Sequence, residues 1–135
     1  MKVLVDTSVW SLALRRDLPP DGPEVSELIE LIKEARVQMI GPVRQELLSG
    51  IKSQTQFRKL RNHLRPFPDL ELMTQDYECA AEFFNLCRTK GVQGSNTDFL
   101  ICAIAERHKT PIFTTDRDFT QFQNHLPITL HRCRS

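Results

Sequence analysis

Short apolar runs alternate with longer amphipathic stretches along this chain. The segments 3–5 (VLV), 37–40 (VQMI) and 111–115 (PIFTT) have the length and the apolar content of buried strands. A weaker extended segment is predicted at 70–72 and a last strand at 128–130. The stretches between them have helical periodicity. This alternation predicts an α/β fold of three layers, with a central, mostly parallel sheet of four to five short strands flanked by helices.

The boundaries of the helices follow from capping residues, prolines and glycines. Pro42 stands in the first-turn position that proline tolerates, and Gly50 is expected to close the helix that Pro42 opens. Thr74 is expected to cap a long helix, and Ser95 with Asp98 has the spacing of a capping box. The predicted helices cover 8–16, 24–36, 42–50, 54–65, 74–91 and 95–105, with a short one after 116.

Apolar spacing also predicts the buried faces of these helices. In the segment 24–36, apolar residues recur at i, i+3, i+4 and i+7, which indicates one buried face. The segment 99–105 (FLICAIA) is apolar nearly all round and predicts a buried central helix. The predicted buried face of the helix over 24–36 consists of Val25, Leu28, Ile29 and Ile32. The predicted buried face of the helix after Thr74 consists of Tyr77, Ala80, Ala81 and Phe84.

Composition narrows the class of protein. Of 135 residues, 40% are apolar and 26% are charged, which suits one folded unit, and we place no domain boundary within 1–135. No segment approaches the roughly 20 apolar residues that a membrane span needs. The four cysteines, at 79, 87, 102 and 133, form no CxxC pair, and the first three are expected to pack in the core. We therefore expect a single cytoplasmic domain without a membrane partner.

Four acidic residues fall where an α/β domain places a ligand site. Asp6 follows the first strand and Asp116 follows the strand over 112–114, while Glu46 and Asp98 lie in the first turns of two helices. The carboxyl ends of parallel strands and the amino ends of the next helices share one edge of the sheet. Four carboxylates there repel one another unless a cation binds, and ligands that are all oxygen favour Mg²⁺ or Mn²⁺ over zinc. Taken singly, each acid has the alternative role of a cap, a turn residue or a solvated helix residue.

The same acids stand in motifs of a known family. DTSVW from Asp6, after VLV, and ELLSG from Glu46 resemble the opening of a PIN domain. DFLICA from Asp98 and TTDRDF from Thr114 resemble its later motifs, and the order and spacing are similar to those of VapC-type toxin ribonucleases. The resemblance implies that Asp6, Glu46, Asp98 and Asp116 are both the metal ligands and the catalytic residues. It also implies that Thr114 is a supporting hydroxyl.

The activity that this resemblance implies is Mg²⁺- or Mn²⁺-dependent hydrolysis of RNA phosphodiester bonds by an endoribonuclease. Metal-activated water is the nucleophile in such reactions, and the cation takes up charge on the phosphate. The implied protein is the toxin of a toxin–antitoxin pair, neutralised by a cognate VapB-type antitoxin, with a homodimer expected. Transfer RNA is the family-level expectation for the substrate, with ribosomal and messenger RNA left open. Candidate antitoxin-docking groups, or equally core residues, are Trp10, Leu12 and Leu14.

Three further polar residues near these acids have two interpretations each. Thr7 and Ser8 can offer hydroxyl or backbone N–H groups to a phosphate at a helix start, or can simply cap the helix. Asp118, two residues after Asp116, is expected to start the next helix rather than to join the site. We therefore keep Thr7 and Ser8 as supporting residues of the predicted site.

The segment 51–66 contains five Lys or Arg residues and no acid. The whole chain has 18 Lys and Arg against 17 Asp and Glu, so this segment is a local basic helix suited to phosphate contacts. A solvated helix face is the alternative. Arg15, Arg16 and Arg44 lie closer in sequence to the acids and are further candidates for substrate contact. The basic candidates for RNA contact are Lys52, Arg58, Lys59, Arg61 and Arg65.

Two other functions stay open. One is a non-catalytic PIN-like scaffold that binds RNA or protein and holds no metal ion. The other is a phosphoryl-transfer domain with Asp6 as the nucleophile. Against the latter, position 8 is Ser where haloacid-dehalogenase-like proteins have a second Asp, and Arg117 stands where a receiver domain has lysine.

Overall fold

A parallel sheet of four strands lies at the centre of the structure, a computed structural model in which residues 1–14 and 22–134 are described. The strands lie in the order β3-β2-β1-β4, and each neighbouring pair is parallel. This arrangement confirms the predicted α/β class. The strands are β1 (Val3–Val5), β2 (Val37–Ile40), β3 (Asp69–Leu70) and β4 (Ile112–Phe113).

Helices connect these strands and cover the sheet. Within the described ranges, no helix is both long enough and apolar enough to cross a membrane. The helices are α1 (Thr7–Ala13), α2 (Pro23–Lys33), α3 (Gly41–Leu48), α4 (Gln54–Leu64), α5 (Thr74–Thr89), α6 (Asn96–His108) and α7 (Asp118–Gln123).

Several element boundaries differ from the predicted ones. The first helix begins at Thr7, and the predicted residues Arg15 and Arg16 lie outside the described part of the chain. α3 ends at Leu48 because Ser49 has extended backbone angles, so Gly50 does not close it. The predicted last strand is reduced to one bridge between Leu130 and Ile112.

The start of α5 was also predicted wrongly. Met73, not Thr74, is the N-cap residue. The carboxylate of Asp76 accepts the backbone N–H of Met73 at 2.8 Å, so an acid in the first turn satisfies the helix start. β3 covers Asp69–Leu70, so it begins one residue before the predicted segment 70–72 and ends two residues before it.

The buried face of α2 is rotated from the predicted one. Val25 and Leu28 are buried as predicted, but Leu31 completes the face. Ile29 and Ile32 are 46% and 39% exposed, so their assignment to the core was wrong. The physical reason is that α2 packs against α1 and β2 through positions three apart, and only one edge of its apolar stripe reaches the core.

The buried face of α5 is also rotated. Tyr77 is 55% exposed and Ala81 is exposed, while Asp76, Ala80 and Cys87 are buried. α5 packs along α6, and Arg107 of α6 donates to the buried Asp76 carboxylate at 2.6 and 2.8 Å. Because this buried ion pair holds the first turn of α5 against α6, Tyr77 points away from the core.

The predicted central helix is confirmed. α6 buries a nearly continuous run of side chains from its second turn onward, and Ser95 and Asp98 form the predicted capping box at its start. Aromatic rings from neighbouring elements pack on it: Phe99 stacks with Phe84 of α5 and with Phe122 of α7. The buried residues of α6 are Phe99, Ile101, Cys102, Ala103, Ile104 and Ala105.

Candidate metal and nuclease site

Asp6 lies at the edge where two central strands end. It directly follows β1, and its backbone N–H donates to the carbonyl of Phe113 at the end of β4, at 2.9 Å. Its backbone is extended and it stands at the N-cap position of α1, so the chain turns from strand to helix at this residue. Only 5% of Asp6 is exposed, which makes it a buried acid in a core of apolar strands.

Two hydroxyl groups orient the Asp6 carboxylate. Ser8 Oγ and Thr114 Oγ1 each lie 2.8 Å from Asp6 Oδ2 and donate to it. Ser8 Oγ also accepts the N–H of Thr115 at 3.0 Å, and Thr114 Oγ1 accepts the N–H of Asp116 at 3.0 Å. Each hydroxyl has one proton to donate, so both protons are directed to the same carboxylate oxygen. The first turn of α1 and the loop after β4 are joined through Asp6.

Asp116 follows in the same loop. Its Oδ1 accepts the backbone N–H of Asp118 at 2.9 Å, which is an Asx-type turn that leads into α7. Asp118 is exposed and is the first residue of α7, as expected from the sequence. Asp116 is half-buried and lies close enough to Asp98 for its charge to affect that residue.

Asp98 is held at the start of α6 by its capping box. Its Oδ2 accepts the backbone N–H of Ser95 at 3.0 Å, and its own N–H donates to Ser95 Oγ at 3.1 Å. Burial raises the pKa of the Asp98 carboxyl above its ordinary value, and the hydrogen bonds from Ser95 oppose this effect. The negative charges of Asp6 and Asp116 raise that pKa further. Three of the four predicted acids therefore share one electrostatic environment.

Glu46 connects to this group through a hydroxyl. It is exposed on α3, and Thr7 Oγ1 donates to Glu46 Oε1 at 2.6 Å. Because Thr7 is the residue after Asp6, this bond draws the middle of α3 toward the start of α1. The sequence left phosphate contact and helix capping open for Thr7 and Ser8, whereas the structure engages both hydroxyls with protein carboxylates.

The four acids have one bonding pattern in common. Each uses a single carboxylate oxygen for its hydrogen bonds within the described ranges, and its second oxygen accepts none there. None of the ion pairs formed among residues 1–14 and 22–134 involves any of them. The free oxygens are Oδ1 of Asp6, Oε2 of Glu46, Oδ1 of Asp98 and Oδ2 of Asp116.

The acids are neighbours without forming a closed ligand cage. Among the side chains that the structure describes, no three Asp, Glu, His or Cys residues lie close enough together to hold a metal ion. Each carboxylate is bonded by a cap, a turn or a hydroxyl, and Thr114 links the positions of Asp6 and Asp116. The four-ligand metal site therefore stays a prediction.

Arg44 does not extend the site as the sequence suggested. Its guanidinium pairs with Asp69 at 3.0 Å and donates to the carbonyl oxygens of Leu64 and Phe67. It thus links α3 to the end of α4 and to β3. The sequence offered no signal for these contacts, because they join residues twenty or more positions apart.

Comparison with known proteins identifies the family. The family model described as PIN domain matches residues 3–124. This chain belongs to the PIN-domain family. The chain is 31% identical over 119 residues to VapC ribonuclease Mb1587 of Mycobacterium bovis, and the match covers 87% of this chain and 88% of the relative. Ribonuclease VapC11 of Mycobacterium tuberculosis matches with the same identity and coverage. The resemblance to PIN-domain proteins that the sequence motifs indicated is thus confirmed.

Solved structures confirm the PIN fold. FitAcB from Neisseria gonorrhoeae superposes with a TM-score of 0.76 at 23% identity, covering 96% of each chain. VapBC2 from Rickettsia felis, bound to a DNA fragment from its promoter, has a TM-score of 0.76 at 20% identity and covers 97% of this chain and 98% of that one. At this identity the likeness supports the three-layer fold of the PIN domain.

Proposed function

We propose that this PIN domain is an Mg²⁺- or Mn²⁺-dependent endoribonuclease of the VapC type. The observation that supports this most directly is the set of free carboxylate oxygens around Asp6, a buried acid that pairs with no cation among the described residues. The relatives that match over most of their length are ribonucleases by name. The substrate class we propose is RNA, with transfer RNA as the first species to test.

The side chains present fit a hard divalent cation. All four acids offer oxygen atoms, which suit Mg²⁺ and Mn²⁺, and no thiol or imidazole is needed. Burial, and after it the negative charges of Asp6 and Asp116, raise the pKa of Asp98, which supports the binding of a counter-charge at this edge. Asp6, Asp98 and Asp116 would hold the ion, and Glu46 would join them from α3.

The residues of the chain have distinct tasks in this proposal. A bound cation supplies the activation of water and the neutralisation of charge on the scissile phosphate. Ser8 and Thr114 donate to Oδ2 of Asp6 and fix its carboxylate, so Oδ1 is the oxygen left to bind the cation. Thr7 holds Glu46 in the same way. In this proposal the three hydroxyls position carboxylates, and the nucleophile is water rather than a protein group.

The test is RNA cleavage by the purified protein with Mg²⁺ and with EDTA, compared among variants. We expect Asp6→Asn and Asp98→Asn to lose about 100-fold or more of the rate, because each removes a negatively charged ligand. Asp118→Asn is the matched control, since Asp118 is exposed and its side chain makes no hydrogen bond among the described residues. Equal rates in all four proteins would refute the proposal.

A second measurement does not depend on activity. Titration calorimetry with Mn²⁺ should show binding to the wild type and to Asp118→Asn, and weak or no binding to Asp6→Asn. Wild-type protein that binds RNA but neither Mn²⁺ nor Mg²⁺ would favour the non-catalytic scaffold instead.

We further propose that a VapB-type antitoxin restrains this activity. One structure that shares the fold, from Klebsiella pneumoniae, is a toxin–antitoxin complex by title, and others are titled FitAB and VapBC-1. Co-expression with the product of the neighbouring open reading frame should yield a stable complex with reduced RNA cleavage. Light scattering on the toxin alone tests the proposed homodimer. Recovery of fully active toxin without a bound partner would count against the antitoxin.

A further inference from the structure

We propose that the groove between α3 and α4, with the basic face of α4, anchors single-stranded RNA away from the acidic site. This inference rests on the proposed ribonuclease function and assigns it a substrate-binding surface. Two features support it: a row of arginines along α4 and an aromatic side chain in the adjoining groove.

The arginine row follows from the helical positions of its members. Arg58, Arg61 and Arg65 are spaced i, i+3 and i+7, which places them within about 60° of one another around the helix. Successive members lie about 4.5 and 6 Å apart along the axis, so their guanidinium groups form a line that can follow a phosphate backbone. Arg58 and Arg65 are exposed, and Arg61 is half-buried.

The cations of α4 balance no acid within the part of the chain that the structure describes. No ion pair among residues 1–14 and 22–134 involves the arginine row, or Lys52 and Lys59 beside it. No acid occurs between 51 and 66, while the chain as a whole has a net charge of +1. The positive potential of α4 is therefore local and open to an external anion.

The groove adds an aromatic surface to these charges. It has a volume of about 430 Å³ and is lined by Phe57 of α4 together with residues of α3, including Leu48. The acid in its lining, Asp69, is paired with Arg44 at 3.0 Å. A positively charged track beside an aromatic ring on which a base can stack is the usual combination for binding single strands.

The exposed surface of α4 favours RNA over a protein partner. Protein interfaces depend on large apolar or aromatic anchors. The large apolar side chains that are exposed among the described residues lie on other elements, such as Ile29, Tyr77 and Leu86. α4 instead presents charged and polar groups, and its half-buried Phe57 faces the groove.

The location of this surface predicts its kinetic role. α3 directs Glu46 toward Thr7 and the acidic site. The groove is lined by the other faces of α3, from Ser49, about a sixth of a turn from Glu46, to Arg44 and Leu48, about half a turn away. RNA bound at α4 is thus held at a distance from the bond that is cleaved. Loss of this contact should raise KM and leave kcat unchanged.

The main experiment measures the salt dependence of RNA binding. A short fluorescein-labelled single-stranded RNA is titrated with protein in EDTA at several salt concentrations between about 50 and 200 mM. Each phosphate contact on a single strand contributes about 0.7 to the slope of log K against log salt, so R58Q/R61Q/R65Q should lower the slope by about 2. The expected loss of affinity at 0.1 M salt is about 100-fold.

Matched variants separate this effect from net charge and from misfolding. R88Q/K90Q/R132Q removes three exposed cations that form no ion pair among the described residues, and should change the slope by less than about 0.5. R58K/R61K/R65K keeps the charges and should keep the slope. Phe57→Leu should weaken binding at least about 5-fold at an unchanged slope, because it removes stacking and no charge.

The outcomes separate this inference from the proposed function. Equal slopes for the two glutamine triples, or no loss of affinity in Phe57→Leu, would overturn the α4 anchor while Mg²⁺-dependent cleavage still stands. Binding of an acidic protein at α4 and of no RNA would also overturn it. A wild type that binds RNA with the expected slope but never cleaves it would instead refute the proposed function.

Discussion

The hydroxyl of Thr114 donates to Oδ2 of Asp6 at 2.8 Å and accepts the backbone N–H of Asp116 at 3.0 Å. One side chain at the end of β4 thereby orients the acid after β1 and positions the loop that holds a second acid. In the proposed metal site Thr114 would contact a ligand and not the metal, and groups in such positions commonly tune metal affinity in proteins.

Thr114→Val tests this relationship, because valine has nearly the same shape and lacks the hydroxyl. We expect the dissociation constant for Mn²⁺ to rise about 10- to 100-fold, measured by calorimetry, since Asp6 loses one of its two hydrogen bonds. Thr114→Ser keeps the hydroxyl and should bind Mn²⁺ within a few-fold of the wild type. Equal affinity in the valine variant would contradict the role of Thr114.

Asp76 and Arg107 give a prediction on pH and stability. The hydrogen bond from Arg107 holds the pKa of the buried Asp76 carboxyl below its ordinary value, against the opposing effect of burial. The folded state therefore keeps Asp76 ionised at pH values where the unfolded chain is already protonated. The stabilisation is complete above the unfolded pKa of 3.8 and is lost as the pH falls through it toward the folded pKa.

Replacing this acid measures the contribution of the ion pair. Asp76→Asn should lower the free energy of unfolding by about 2–3 kcal/mol near neutral pH, because a buried charge-assisted pair is broken. The difference from the wild type should shrink in urea unfolding curves recorded below pH 3.8. A difference that is independent of pH would show that the charge of Asp76 is not responsible.

The rotated face of α2 is tested by truncating two adjacent side chains, one buried and one exposed. Leu31→Ala should cost about 2–5 kcal/mol of unfolding free energy, because Leu31 is fully buried against the sheet. Ile32→Ala should cost less than about 1 kcal/mol, since Ile32 is 39% exposed. Comparable losses of unfolding free energy in the two variants would show that Ile32 contributes to the core as much as Leu31 does.

Gly94 is the one glycine of the described chain whose replacement meets a packed ring. A Cβ at this position would lie 2.5 Å from Cζ of Phe122 and 3.0 Å from Cε2 of Phe99, and both rings are buried. Gly94→Ala should destabilise the protein by about 1–3 kcal/mol in thermal or urea unfolding. Gly41→Ala is the control: its Cβ would first meet an atom at 4.0 Å, and we expect a change within about 0.5 kcal/mol. Equal stability of both variants would show that the rings around Gly94 move freely.

Much of the fold could be predicted because it depends on local pattern. β2 was predicted to the residue at Val37–Ile40, and the capping box of Ser95 and Asp98 is present as expected. Short apolar runs, prolines in first turns and capping spacings act within a few residues, so the sequence expresses them directly. The faces of α2 and α5 could not be predicted, because several rotations of an apolar stripe fit the same spacing. Packing partners, such as Arg107 for Asp76, choose among these rotations.

The same division between local pattern and tertiary packing holds for the four acids of the proposed site. The sequence by itself determined which residues stand at strand ends and helix starts, since an alternating pattern of strands and helices brings Asp6, Asp98 and Asp116 to one side of a parallel sheet. The sequence also predicted the local bond between Asp98 and Ser95. Only the tertiary structure decided the long-range partners, which are Thr114 for Asp6 and Thr7 for Glu46. The reason is physical. Such bonds join residues up to 108 positions apart, and their distances depend on how the layers pack and not on any local preference of the chain.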